Sequence, residues 1–438
     1  MSARDSGPAH QPAAGAASAG HGQGPVTIDD VLARIPGKPN AALRVVFLVC
    51  LVVGLLTFGL TVVANPLRGW SSVLINITYW LPMSAAAAAF GGVLILVKAK
   101  WSVPVHRTFL GIAGFLPWMF GVLILTLIFG NAYLFAWVRE PVAVKAAYLN
   151  VPFPLAREIG LVGAFTLLAL AFLRRIRRLD AGLARGRVRE ELRGRYEKWS
   201  KGWRGDAIEV ESARRVLPRL AGVLPVLYAV VFTVVAWDLV MSLEPHWTTT
   251  QIAPWFWMGG LLAALAAAAL LSLVLRDAYG LERCFDPRRQ QLMGQLLFGM
   301  TNFRTYLSWV LFLPIWYANL PEETSWMVRR VHFPFFPWLL AAVFFGWFVP
   351  LVGFMNLAAK KKTGAFVFFA GSILLGLWIE QLVLAYPSLY LTHMPFGVPE
   401  IGVTLGFVGG FGLVFQQYAA TRPLVALDQI EVLAEAVH

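Results

Sequence analysis

The sequence is poor in the residues that usually hold redox centres. Its 438 residues include two cysteines, Cys50 and Cys284, too few for a disulfide scaffold, a four-cysteine zinc site or an iron–sulfur cluster. No C-x-x-C-H run occurs, which excludes an attached c-type haem. None of the seven histidines (His10, His21, His106, His246, His332, His393 and His438) falls within an apolar run, so a buried bis-histidine haem is not expected. Charge is scarce too: Asp, Glu, Lys and Arg make up 14% of the chain, against about 25% in soluble proteins. A Gly-rich phosphate loop, a nucleophile elbow and metal-ligand spacing are all missing, so no catalytic residue and no metal ligand is assigned.

What fills the chain instead is apolar. Hydrophobic residues make up 58% and the mean hydropathy is +0.65, more than one globular core can bury. A soluble enzyme is excluded on that ground. The formal charge of +13 does not point to nucleic acid, because it is concentrated between two apolar runs: residues 174–215 carry 14 Lys/Arg against 7 Asp/Glu.

The chain reads as an all-α polytopic membrane protein. Residues 1–26, rich in Gly, Ala, Ser and Pro, lack the large apolar side chains needed to fold and read as a disordered tail without a signal peptide. Thr27-Ile28-Asp29-Asp30 resembles a capping box and predicts an interfacial helix over 27–41. Ten runs follow that are long enough to span about 30 Å, near 43–64, 72–97, 108–135, 156–173, 217–242, 254–275, 293–317, 335–358, 364–386 and 398–419. Helices 1–4 thus occupy 42–173 and helices 5–10 occupy 217–420, with a basic loop at 174–216 between them and a tail at 421–438. Trp70, Trp101, Trp237, Trp255, Trp316, Tyr317, Tyr386 and Tyr418 lie near span ends, as an interfacial aromatic belt requires. Lys98, Lys100, Arg107, the 174–215 block, Arg276, Arg283, Arg288, Arg289 and Lys360 to Lys362 mark one side as basic. The opposite loops hold only scattered positives at Arg68, Arg139, Lys145, Arg329 and Arg330. The positive-inside rule then puts both termini in the cytoplasm. The 174–215 block reads as a stop-transfer anchor with a solvated helix near anionic lipid, or as a docking face for a cytoplasmic partner. In the C-terminal tail, Leu424, Leu427, Ile430 and Leu433 recur at helical spacing and predict a segment lying on a neighbour or on the membrane.

An ionisable group at membrane depth costs at least about 2.5–3.5 kcal/mol, so each asks for an account. Glu158, Asp238, Arg304 and Glu380 fall inside spans, with Glu244, His246, Glu322, Glu323 and Glu400 at their ends. By topology every acidic one lies in the outer half or at the outer surface, and none in an inner half. Asp238 and Glu380 are expected a turn or more inside their spans. Such groups suit proton release near the outer surface; the plainer reading is that acids cap helix ends and avoid the inner leaflet. Thr301, Arg304, Thr305 and Ser308 form one stripe of helix 7, with Asn302 and Tyr306 beside it. Arg304 needs an anionic partner, for which Asp238 and Glu380 are nearest by depth. Gly409, Gly410 and Gly412 permit close helix packing.

Two segments go further. Trp237-Asp238-Leu239-Val240-Met241-Ser242-Leu243-Glu244-Pro245-His246-Trp247 closes helix 5, and Ile315-Trp316-Tyr317-Ala318-Asn319-Leu320-Pro321-Glu322-Glu323-Thr324 closes helix 7. In a ten-span chain they resemble the NrfD-like integral membrane subunits of bacterial alternative complex III, a quinol:electron-acceptor oxidoreductase, and most of all its ActF subunits, often called quinone-binding subunit 2. The resemblance implies two four-helix bundles with two flanking helices in a bacterial inner membrane. It implies no cofactor on this chain, with menaquinol or ubiquinol, haem c and iron–sulfur clusters handled by partner subunits. Those partners are an ActC-like sister membrane subunit, an iron–sulfur subunit, multihaem cytochromes c and, in some complexes, a terminal oxidase. A role in proton conduction carries over to Asp238, Glu244, His246, Asn319, Glu322 and Glu323; Arg304, Tyr306 and Glu380 join them from depth alone. The rival readings are a second quinone pocket of Trp237, Asp238, His246, Trp247 and Phe256, a secondary transporter with paired broken helices, and a scaffold without chemistry.

Overall fold

A computed structural model describes residues 26–433, so the expected tail at 1–26 lies, but for Val26, outside the described residues. They are helical throughout, with no strand among them. A short α1 (Ile28–Ala33) opens with the expected capping box: the Thr27 hydroxyl accepts from the Asp30 amide and the Asp30 carboxylate accepts from the Thr27 amide. Val31, Leu32 and Ile35 are buried, and Arg34 donates to the Gly280 carbonyl, so this segment packs on the body of the protein as well as at its surface.

Nine helices among the described residues are long and apolar enough to cross a membrane: α2 (Ala41–Ala64), α3 (Pro66–Leu96), α4 (His106–Leu134), α5 (Pro152–Leu183), α7 (Asp206–Leu243), α8 (Ile252–Tyr279), α11 (Phe336–Met355), α12 (Thr363–Leu389) and α13 (Val398–Thr421). All nine coincide with expected spans. The seventh expected span is the 32-residue helix α9 (Pro287–Ala318), which at 1.5 Å per residue is about 48 Å long. It is less apolar than the others because Gln, Asn and Arg residues line its packed side, while Phe303, Tyr306, Trp309, Leu313, Trp316 and Tyr317 are exposed on the other.

The basic segment is more ordered than a loop. Helix α5 runs on to Leu183, a separate helix α6 (Glu190–Trp199) follows, and α7 begins at Asp206. The helices therefore extend past their apolar stretches, carrying charge with them. Arg178 and Arg204 both pair with the buried Glu209, at 3.0 and 3.3 Å, and fix the end of α5 to the start of α7. The C-terminal segment forms a 3-10 turn at Leu427–Leu433. Leu424, Leu427 and Ile430 are buried, and the Ala426 amide donates to the Val103 carbonyl at 3.3 Å, so its covering neighbour is its own chain.

Helices α3, α4, α5 and α7 pack on one another, as do α8, α9, α11 and α12, and the two sets meet where α8 and α12 lie against α3. Helix α3 is the most enclosed, buried from Gly69 almost without interruption to Gly92. The first and last spans, α2 and α13, pair with each other and lean on α3. Lipid-exposed side chains cover most of α2, where only Gly54 and Thr61 are buried. The pairing rests on glycine, as expected of Gly409 and Gly412: a Cβ on Gly409 would come within 2.5 Å of Leu51 N and Phe47 O, and one on Gly54 within 2.2 Å of Gly406 Cα. Close backbone approach of this kind is what holds helices together in lipid. Gly54→Val should therefore force α2 off α13, costing about 1–3 kcal/mol as overpacking does. Gly59→Val, with open space around it, should be neutral; thermal melts in detergent compare the two.

Candidate functional site

The polar residues inside the helices gather into separate clusters, and each cluster contains an arginine. The first closes the end of α7. Asp238 lies in the last turn of the regular α-helix, which ends at Leu239, and five residues before the end of the span at Leu243. It is nevertheless buried, because α5 and the segment before it cover that end. Arg157 of α5 donates from Nε and Nη2 to the two carboxylate oxygens at 2.8 and 2.6 Å. The Tyr148 hydroxyl adds a third bond to Oδ1 at 2.9 Å. Burial and the neighbouring carboxylate raise the Tyr148 phenol above its usual range, so it remains a donor. The rings of Tyr148 and Phe153 flank the Arg157 guanidinium at 3.9 and 4.6 Å, which fixes its plane.

Glu158, next along α5, is fully buried. Both of its carboxylate oxygens lie away from solvent without a hydrogen-bond partner among the described residues, and the group sits close enough to Asp238 and Arg157 to interact with both. Two buried carboxyl groups thus lie near one guanidinium, which bonds to Asp238. Like charges held close together without a second cation oppose one another.

A second cluster forms at Glu244. It accepts from Ser388 Oγ at 2.6 Å and pairs with Arg330 and Arg329 at 3.4 and 3.2 Å. Arg330, on the short helix α10 (Pro321–Val331), is buried and also donates to the Trp326 and Leu384 carbonyls, both at 2.7 Å. Burial lowers its guanidinium to about 9, with Glu244 opposing the shift, so it stays charged at neutral pH. Its guanidinium lies 3.7 Å from the Trp326 ring, and Trp326 stacks face to face on Trp247 at 4.2 Å.

Deeper along α12, Glu380 pairs with Arg304 at 2.8 Å, which selects Glu380 and not Asp238 as the partner of that arginine. Ser308 accepts from Arg304 at 3.0 Å, the Trp255 ring covers the guanidinium at 3.7 Å, and the Trp255 indole donates to Ser308. Beside them is a cavity of about 10 Å3, lined by Thr78, Tyr79, Trp255, Gly259, Arg304 and Gln381 among others, enough for one water. The fourth cluster is Glu400, held bidentately by Arg68 at 2.9 Å and by Tyr386 at 3.1 Å.

The remaining expected residues fall elsewhere. Thr301 is buried beside this stripe and Thr305 bonds back to its carbonyl at 3.0 Å, but Tyr306 is 58% exposed on the opposite face of α9 and does not join Arg304. Glu322 and His246 are exposed and Glu323 is half-buried; neither glutamate forms an ion pair among the described residues. Trp247 is buried, with Trp326 stacked on one of its faces. Phe256 lies with the Arg304 cavity instead.

The basic end of the molecule holds a further set of buried charges. Asp180 and Glu209 are buried on the extensions of α5 and α7 beyond their apolar stretches, toward the basic end. Asp180 accepts two bonds from Arg107, at 2.9 and 2.7 Å, and Arg107 also reaches Asp428 at 2.9 Å. His106, the first residue of α4, is buried, with one ring nitrogen 2.9 Å from the Gly91 carbonyl and the other 2.7 Å from Arg107. No group of three or more His, Cys, Asp or Glu residues suited to a metal occurs among the described residues.

Arg157 and Tyr148 were not singled out by sequence reasoning, and Glu158 carried no assigned role. A signal did exist for the partners of the other carboxylates. Arg68, Arg329 and Arg330 are basic residues on the side that otherwise lacks them, and each now has a buried or half-buried carboxylate to explain it. No protein-family model matches the chain, and no curated protein matches it as a relative.

Proposed function

We propose that this chain is a cofactor-free integral membrane subunit of a quinol:electron-acceptor oxidoreductase of the alternative complex III type, ActF-like in kind. It spans a bacterial inner membrane ten times, α9 included, with both termini in the cytoplasm. In this reading α3, α4, α5 and α7 form one four-helix bundle and α8, α9, α11 and α12 the other, with α2 and α13 as the flanking pair. The packing of first span on last, outside two sets of four, supports that arrangement.

Its task within the complex is to seat the ActC-like, iron–sulfur and cytochrome subunits and to pass protons in the outer half. The observation that carries the second task is the buried set of two carboxyl groups, Glu158 and Asp238, against one guanidinium, Arg157. A site that balances its charge with one mobile proton can take up and release that proton as nearby charge changes. From Glu380 to Ser388, which binds Glu244, α12 rises eight residues, about 12 Å. That stretch links the Arg304 cavity to Arg329, whose side chain is 41% exposed. Bound water is needed to bridge it.

Purification of the full chain through a tag in a mild detergent tests the assignment. Co-elution of iron–sulfur and multihaem subunits, with a c-type haem band in the reduced-minus-oxidised spectrum, is the expected result. A colourless chain eluting alone, in a detergent that leaves other respiratory complexes intact, overturns it.

A further inference from the structure

A large cavity lies away from the carboxylate clusters, at the basic end. It holds about 910 Å3 and its walls include Arg44, Arg174, Arg177, Arg195, Lys198 and Arg422. Among the described residues no aspartate or glutamate lines it. Arg177 and Arg422 flank the Trp199 ring, each 5.3 Å from its centre, and Arg422 also lies 4.6 Å from the Tyr418 ring. Arg174, Arg177 and Arg422 are near enough to repel one another. The carboxylate closest in effect to Arg422 is Asp180, whose two oxygens are already taken by Arg107. The Arg422 Nε is buried without a partner among the described residues. Guanidiniums gathered in this way without a counter-ion are mutually destabilising, and an anion in the cavity would relieve them.

The cavity does not end in polar walls. Trp118, Leu413 and Val414 line it and also line a neighbouring groove of about 450 Å3 between α2, α4 and α13, which is almost wholly apolar. Along α13 that groove runs from Val414 to Val403, eleven residues or about 16 Å. That is the depth of one leaflet of a hydrocarbon core about 30 Å thick. The glycines that draw α2 onto α13, Gly54 and Gly406, also lie in its wall, leaving room where larger side chains would fill it.

We infer that cavity and groove together form a binding site for one anionic glycerophospholipid, its phosphate among Arg174, Arg177 and Arg422 and an acyl chain in the groove. The site explains why cations are placed here without carboxylates and why an apolar channel one leaflet deep opens from among them. It depends neither on the oxidoreductase reading nor on the carboxylate clusters at the other end of the fold.

The test uses the full chain, delipidated in detergent, with thermal melting and native mass spectrometry as readouts. Phosphatidylglycerol should raise the melting temperature and remain bound in the mass spectrum, whereas phosphatidylcholine and inorganic phosphate at equal concentration should do neither. Arg177→Gln/Arg422→Gln should bind phosphatidylglycerol about thirtyfold more weakly, at about 1 kcal/mol for each cation lost. Gly410→Leu, which fills the groove and leaves every arginine in place, should also weaken phosphatidylglycerol binding. Equal effects of phosphatidylcholine would overturn the anionic headgroup, and inorganic phosphate reproducing the full shift would overturn the lipid. Unchanged phosphatidylglycerol binding in both variants would overturn the location.

Discussion

Arg157→Met is expected to remove most folded protein from the membrane. The substitution keeps a long apolar stem but strands Asp238, 5% exposed, and Glu158, 0% exposed, without their shared cation. Breaking a buried pair from one side costs about 3–5 kcal/mol, because the remaining charge has neither water nor partner. Adding Asp238→Asn to Arg157→Met should restore much of the loss, since the charge and its counter-charge then leave together. Yield and melting temperature in mild detergent read both outcomes. If the single variant is as stable as the parent, Arg157 is not the counter-charge of this site.

Neutralising either acid should have the opposite profile. Glu158→Gln leaves Asp238 and Arg157 as a balanced pair, and Asp238→Asn leaves one carboxyl group, Glu158, near Arg157. Each removes the need for the extra proton while keeping the shape of the side chain. Assembly and melting temperature should therefore hold or rise, while proton release during quinol oxidation falls by a factor of about 100, the lower end of what a positioned acid–base group contributes. Release at the parental rate in both assembled variants would leave the pair a structural one. Stability and proton release moving in opposite directions is a signature that scaffolding alone does not produce.

Much of the fold was legible because lipid imposes simple rules. A run of about twenty apolar residues has few alternatives to a helix that spans, and the expected spans met helices throughout. The hardest segment was α9, whose aromatic exposed face and polar packed face average out in any composition measure. The clusters were legible only by half. Depth alone identified Asp238, Glu380 and Glu244 as needing an account, and it paired Arg304 with one of two candidates. It did not distinguish them, because which helices touch is set by side-chain packing between α9 and α12. Arg157 escaped notice for another reason: it sits at the start of α5 beside Glu158, where an adjacent acid and base look like an ordinary helix end. Tyr306 was assigned to the Arg304 stripe by proximity in sequence, yet two residues of helix turn the side chain by about 200°, onto the opposite face.

The glycine seam between α2 and α13 also sets an order of events during synthesis. About 330 residues separate the end of the first span from the start of the last. At roughly 5–20 residues per second, the ribosome needs about 20–70 s to supply that partner. Throughout that interval the N-terminal span stands in the bilayer with its seam open to lipid. Closure of this seam thus waits until α13 has been made, and a chain terminated before residue 398 would leave α2 without the surface built to receive it.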